Sequence, residues 1–299
     1  MVNMEEESGR KRLLALLETF AVKQGRFPSA LKEVDFVRTD NPMQRAPIIY
    51  DPSIFIVAQG RKRVYLGDNA YVYDPYNYLV LSVPLPLECE TEASPEKPLM
   101  GMAIKVDPLV LSELLVQMDD QMPVPGSILG LYSTELTKEL TDAAVRLLEC
   151  LRSPMESRIL GKAIVREITF RVLSGDQGGT LRALAARNSH FSQIAKVLNR
   201  MHQEYQKNVE IEDLAKEVNM SVSTFHHNFK SVTSTSPLQY LKSIRLHKAR
   251  LMMAHDGFNA SSAAYEVGYL SASQFSREFK RFFGNSPADE AARIRAMTD

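Results

Sequence analysis

The spacing of apolar residues changes character along the chain and divides it into regions of different texture. Residues 12–23 carry apolar positions at helical spacing and predict a short amphipathic helix. From about Ile48 the texture becomes strand-like. "PIIYDPSIFIVAQG", "KRVYLGD", "NAYVYDPYNYLVLSV" and "LMGMAIKV" are short, rich in Ile, Val and Tyr, and broken by Gly, Pro and Asp. They predict a small all-β unit, a barrel or a sandwich, over roughly 45–107. "PLVLSELLVQM" begins a helix, with Asp107 as its N-cap and Pro108 in its first turn. After a Pro/Gly loop at 122–127, the segments 134–151 and 154–174 return to three- and four-residue spacing. Their apolar residues, among them Leu136, Leu140, Leu147, Leu148, Leu151, Ile159, Ile164, Ile168 and Val172, make more apolar surface than one helical hairpin covers. It faces either the β unit or a second copy of the chain. "GDQGGT" at 175–180 follows a helix and lacks the Gly-Lys-Ser/Thr ending of a phosphate loop, so it is read as a helix stop. Its three glycines, with a helix expected over 181–187, suggest a junction that absorbs rotation between the halves. From Leu181 onward the chain reads as short helices.

The last hundred residues hold an internal repeat. "STFHHNFK" (223–230) returns fifty residues later as "SQFSREFK" (273–280), and Ser221 and the Ser236-Pro237 pair return as Ser271 and Ser286-Pro287. Upstream of the first copy, Ile211, Leu214, Ala215 and Val218 form one apolar face. A tight turn follows, and Ser221 then caps a helix with Phe225 and Phe229 four apart on one side. That pattern predicts a helix-turn-helix. Ala263, Ala264 and Val267 with Phe275 and Phe279 repeat it. With the Phe pairs facing the core, Ser223, His226 and His227 point outward in the first copy, and Ser273, Gln274 and Arg277 in the second. These are side chains able to read base edges in a major groove. Ser221, Lys230, Ser271 and Lys280 recur at matching positions and suit phosphate contacts. Between the copies, a helix of about 18 residues from Pro237 would span about 27 Å, close to the ~34 Å between successive major-groove faces. One chain would then carry both halves of a duplex reader.

Charge and composition narrow the possibilities. Residues 1–189 hold 22 Lys and Arg against 25 Asp and Glu, and the remainder 14 against 11, a slight basic excess that permits a nucleic-acid partner. Two cysteines are too few for a disulfide scaffold, and no stretch reaches the ~20 apolar residues of a membrane span, so a cytoplasmic protein with no membrane association is expected. All six histidines lie at or beyond 190, which leaves no His ligand for a metal in the β unit and no catalytic Ser-His pair there. No metal, cofactor or enzymatic activity is therefore expected. A small-molecule-binding protein or enzyme with an accessory DNA module is the alternative. Within the β unit, Arg61 and Arg63 of "RKR" suit an anionic ligand, or else a solvated edge. Tyr71 and Tyr73 would line a cavity if they share a strand face, or else are ordinary strand aromatics. Cys89, between Glu88 and Glu90, is a poor candidate for a reactive thiol.

"RLHKARLMM", "VGYLSASQFSREFKRFFGNSP" and the two-motif layout resemble the DNA-binding domain of AraC/XylS-type transcription regulators, over about 195–295. "SRILGKAIVREITFRVLSGDQGGTLR" and "YDPYNYLVLSVPLPLECETEAS" resemble the N-terminal region of one branch of that family. His227 departs from the pattern, since the family often has Arg there, whereas Arg277 keeps it. The resemblance implies an α+β multidomain protein of bacterial origin. Its parts would be a cupin-like β-barrel effector domain with an N-terminal helix (1–130), a helical dimerisation and linker segment (131–189), and an all-α domain with two helix-turn-helix motifs (190–299). It implies double-stranded operator DNA, a homodimer, RNA polymerase and a small-molecule effector as partners.

Overall fold

Alternation along the strands builds a two-sheet barrel whose flat outer side is roofed by helices. The computed structural model describes residues 4–118, 129–186 and 189–298; the expected loop at 122–127 lies outside them. Helix α1 (Met4–Phe20) is followed by β1 (Gly25–Pro28), β2 (Val34–Thr39), β3 (Met43–Tyr50), β4 (Ser53–Gln59), β5 (Arg61–Leu66), β6 (Asn69–Tyr73), β7 (Asn77–Leu81), β8 (Leu85–Glu92) and β9 (Leu99–Lys105). Then come α2 (Pro108–Met118) and β10 (Leu131–Glu135). The strands form a six-stranded sheet, β1-β2-β9-β4-β7-β10, and a four-stranded sheet, β3-β8-β5-β6, with antiparallel pairing throughout. Phe55, Val57, Leu79 and Leu81 point between the sheets. Ile54, Ile56, Tyr78 and Val80, their neighbours in sequence, pack outward under the helices. A strand buried on both faces reads as an unbroken apolar run, as in "SIFIVA".

The helices over that outer face are α1, α3 (Lys138–Leu151) and α4 (Pro154–Ser174). Thr137 and Ser153 cap α3 and α4, accepting from the amides of Leu140 and Glu156, and Asp107 accepts from Leu109 N at the start of α2. The structure departs from the sequence reading at three places. The N-terminal helix begins at residue 4, its first-turn acids Glu5–Glu7 lying at the positive end of the helix dipole. Strands start at Gly25, well before 45. Thr134 and Glu135 complete β10 against Tyr78 and Asn77 instead of opening a helix. Of the two coverings open to the apolar face of 134–173, the chain itself supplies most: Leu136, Leu140, Leu147, Leu148, Leu151, Ile168 and Val172 are buried. Only Ile159 of that set is exposed, beside Met155, Leu160 and Phe170 on α4.

The 175–180 junction is packed. Gly175 and Gly178 have φ of −71° and −61°, and none of the three glycines lies at positive φ. A Cβ on Gly178 would fall 2.0 Å from the Leu173 carbonyl oxygen, so glycine is demanded there by close approach rather than by a swivel. Helix α5 (Gly179–Ala185) is buried over its first five residues, and Arg182 donates to the Leu173 carbonyl at 2.7 Å.

The C-terminal helices are α6 (His190–Gln203), α7 (Ile211–Glu217), α8 (Val222–Thr233), α9 (Pro237–His255), α10 (Ala260–Glu266), α11 (Ala272–Phe283) and α12 (Pro287–Thr298). The repeat recurs in its turns and in the ends of its second helices. Asn219 (φ 54°) and Gly268 (φ 88°) make the left-handed turn after α7 and α10. Met220 N bonds Ala215 O and Tyr269 N bonds Ala264 O, each at 2.9 Å. Ser234 and Gly284 end α8 and α11 in the left-handed region. Phe225, Phe229, Phe275 and Phe279 are fully buried. Arg250 of α9 pairs with Glu290 of α12 at 2.6 Å, fastening the last helix to the connector.

Candidate nucleic-acid interface and barrel cavity

Burying a Phe pair on one side of α8 and α11 leaves the opposite side to solvent. On α8, Ser223, His226, His227 and Lys230 are exposed; on α11, Ser273, Gln274, Arg277 and Lys280 are exposed. Ser221 and Ser271 are the N-caps, accepting from the amides of Thr224 and Gln274. The two faces differ chemically. In the first, Ser221 Oγ stands 2.8 Å from Thr224 Oγ1 and 3.1 Å from Ser223 Oγ, a patch of hydroxyls beside two imidazoles. The second carries Arg277, Lys280 and Arg281, and a polar network centred on Glu278 that sequence reading missed. Glu278 accepts from Gln274 Nε2 (3.1 Å), Lys242 Nζ (3.1 Å) and Tyr269 OH (2.9 Å). Burial pushes its carboxyl up, but those three donors outweigh it and hold it below the usual range. The connector α9, 19 residues long, spans about 28 Å at 1.5 Å per residue.

A cavity of about 240 Å³ lies between the two sheets, walled by Val37, Ile48, Phe55, Val57, Leu99 and Met102. Its polar side chains are Lys62, Tyr50, Tyr73, Thr39 and Arg26. Lys62 Nζ donates to Tyr50 OH at 2.9 Å. Tyr50 OH lies 3.5 Å from Tyr73 OH and 3.6 Å from Cys89 Sγ. Burial drives both phenols well above their ordinary pKa, so they stay neutral. Burial works against the Lys62 ammonium, while attraction to Tyr73 and Cys89 as those groups ionise pushes its pKa above the ordinary lysine value. Arg26 is engaged by Asp35 at 2.8 Å. The cavity thus holds one ammonium among neutral hydroxyls and hydrocarbon.

Of the four residues expected to face a ligand, Tyr73 lines the cavity. Tyr71 shares its strand face and packs, half-buried, against the same core. Arg61 and Arg63 do not line it. They pair across strands with Asp74, Glu92 and Glu90 on the outer face of the small sheet. Alternation decides this, since in "RKR" the middle residue must face opposite to its neighbours. Lys62 is therefore the inward cation, and period two alone would have found it. Cys89 is buried in the barrel core and free. Among the described residues, no group of three or more His, Cys, Asp or Glu stands ready to hold a metal ion, and no helix is long and apolar enough to cross a membrane.

The two halves touch where α9 and α11 meet the small sheet and where α8 meets the start of β10. Tyr240, fully buried, donates from its hydroxyl to the Pro84 carbonyl at 2.6 Å. Its oxygen lies 2.8 Å from His202 Nε2, which must then be the protonated ring nitrogen. Burial pulls the His202 pKa down to about 4, so the ring is neutral. Gly130 N donates to Val232 O, tying the start of β10 to the end of α8.

The family description "AraC-type transcriptional regulator N-terminus" matches residues 30–180, and "Helix-turn-helix domain" matches 214–293. The Msm operon regulatory protein of Streptococcus mutans is 24% identical over 104 residues, 35% of this chain and 36% of that protein. The transcriptional activator RhaS of Citrobacter koseri is 30% identical over 125 residues, 42% of this chain and 44% of that one. The chain thus spans less than half the length of these curated relatives. Apo ToxT of Vibrio cholerae superposes with a TM-score of 0.59 at 13% identity, covering 89% of this chain and 100% of that one. ToxT with bound unsaturated fatty acid does so at 0.58 and 14%, covering 90% and 96%. These structures share the fold, a β-rich N-terminal domain followed by a helical one. With the N-terminal description spanning half its length and the helix-turn-helix description following, the chain belongs to the AraC-type transcriptional regulators.

Proposed function

We propose that the chain is a sequence-specific DNA-binding transcription regulator that acts in the cytoplasm as a homodimer and answers to a small molecule held in the barrel. The observation that carries this reading is the duplicated recognition helix. Two Ser-capped helices turn polar faces to solvent and are joined by one continuous helix of about 28 Å. In this reading Ser223, His226, His227, Ser273, Gln274 and Arg277 meet base edges, and Ser221, Lys230, Ser271 and Lys280 meet phosphates. The cavity chemistry favours an amphipathic carboxylate, its head on Lys62 and its tail among the apolar walls. The fatty acid bound to ToxT, a protein of the same fold, agrees with that class. The exposed apolar face of Met155, Ile159, Leu160 and Phe170 on α4 supports pairing with a second copy. RNA polymerase is a further partner in keeping with the family.

Selection of binding sites from random duplexes tests the reading. Arg277→Ala should relax preference at one base position by about 1–3 kcal/mol, whereas Lys230→Ala should weaken all sequences alike and lower the salt slope by about one. Affinity independent of salt, or an unchanged site after Arg277→Ala, would overturn it.

A further inference from the structure

The Glu278 network does more than brace a helix. We infer that Glu278 is a positioning residue that fixes Gln274 as an adenine reader, so that only the second motif carries a preset base contact. The inference rests on the reading of α11 as a recognition helix. Glu278 is an ionised carboxylate and can only accept hydrogen bonds, so Gln274, one turn away, must offer it the amide NH2. That settles which way the amide points. One N–H is used, and the second N–H and Oε1 are left facing solvent. A donor beside an acceptor matches N7 and the N6 amino group of adenine, and no other base offers that pair in the major groove. Glu278 is itself held from the far side, by Lys242 on α9 and Tyr269 in the turn before α11, and its side chain is only 14% exposed. The first motif has no counterpart. Thr224 and Asn228 stand at the matching positions, and Asn228 bonds to Met220 Sδ instead. Lys242 also ties the network to the connector, so the reader is registered against the helix that sets the spacing between motifs.

The test is binding of the full chain to its selected duplex and to the three single-base variants at the position that Gln274→Ala changes. Glu278→Ala should cut the preference for adenine there by about two- to tenfold, the effect of freeing one side chain before binding. Preferences elsewhere should stay as they were. Glu278→Gln keeps an acceptor oxygen and should recover part of the loss. Lys242→Met should shift the preference the same way by less, and it reports on the network even if Glu278→Ala does not fold. An adenine preference untouched by Glu278→Ala and Lys242→Met overturns the inference. So does a uniform loss over all four bases, which is what a purely structural role gives. If Gln274→Ala alters no preference, the recognition role of α11 falls, and the inference with it.

Discussion

Replacing Lys62 by Met removes one charge from the barrel and little else. The aliphatic stem is kept, and the departing ammonium leaves Tyr50 OH without its 2.9 Å donor, while that hydroxyl still lies 3.5 Å from Tyr73 OH. Among the described residues lining the cavity the cations are Lys62 and Arg26, and Arg26 is already engaged by Asp35. A carboxylate entering the cavity therefore meets one available ammonium. A hydrogen bond to a charged group contributes about 1.5–3 kcal/mol net, which is about 10- to 150-fold in affinity. The apolar tail, buried against Phe55, Val57, Leu99 and Met102, contributes equally in both proteins. Calorimetric titration with octanoate and with octanol separates the two parts. The wild-type chain should prefer octanoate by the stated factor, and Lys62→Met should lose that preference, binding octanoate no more tightly than octanol. Undiminished octanoate binding by Lys62→Met, or octanol binding the wild-type chain as tightly as octanoate, would refute the assignment.

Ile159→Glu, on the exposed face of α4, should turn a sedimenting dimer into a folded monomer, since residue 159 is 69% exposed on the protomer; a wild-type chain that is monomeric at DNA-binding concentrations ends that reading. His202 and His247 are held neutral by burial, with pKa values lowered to about 4 and about 3. The unfolded chain takes up their protons first, so stability should be unaffected by them above pH 7 and fall as pH drops from about 6.5 toward 4. The slope should approach about 2.7 kcal/mol per pH unit for two protons. Urea midpoints that stay level from pH 7 to pH 5 would contradict this. A flexible Gly-Ser insertion after Ala186 should leave the DNA response to a barrel ligand intact, and a lost response would place the coupling in the linker instead.

Where sequence patterns are short-range, they were legible. The repeat, its Ser caps, the Phe pairs and the Ser-Pro starts are spacing rules within one or two helices, and the structure reproduces each. The Asp107-Pro108 start and the limits of α4 follow from capping chemistry in the same way. What failed depends on partners distant in the chain. Nothing local marks β10 as a strand; its identity comes from pairing with β7, some fifty residues earlier. The leucines of α3 read as surplus because the face that covers them belongs to α1 and the outer side of the large sheet. The Glu278 network joins α9, the turn before α11, and α11, and no single-helix periodicity points to it. Lys62 is a different case. Strict alternation was enough to assign it, but the two flanking arginines drew attention to the wrong side of the strand.

The same distant contacts bear on how ligand and DNA are linked. A ligand moves a regulator only by favouring one arrangement over another, so the question is which element touches both sites. The junction at 175–180 is a weak candidate, being closely packed and without a positive-φ hinge. Strand β3 is a stronger one. Ile48 and Tyr50 line the cavity, while Pro47 of the same strand faces a crevice shared with Thr233, Ser234, Arg281 and Phe282 of the DNA-binding half. Its pairing partner β8 follows directly on Pro84, whose carbonyl receives the Tyr240 hydroxyl. Lys62 donates to Tyr50, Tyr50 pairs with Leu85, and the neighbouring Pro84 receives the Tyr240 hydroxyl of α9, a chain of contacts from the cavity to the connector. Packed interiors transmit displacement because they hold few voids to absorb it. A shift of Tyr50 on ligand entry would therefore be passed to the seat of α8 and α9, and with it to the relative setting of the two recognition helices, whatever the length of the linker.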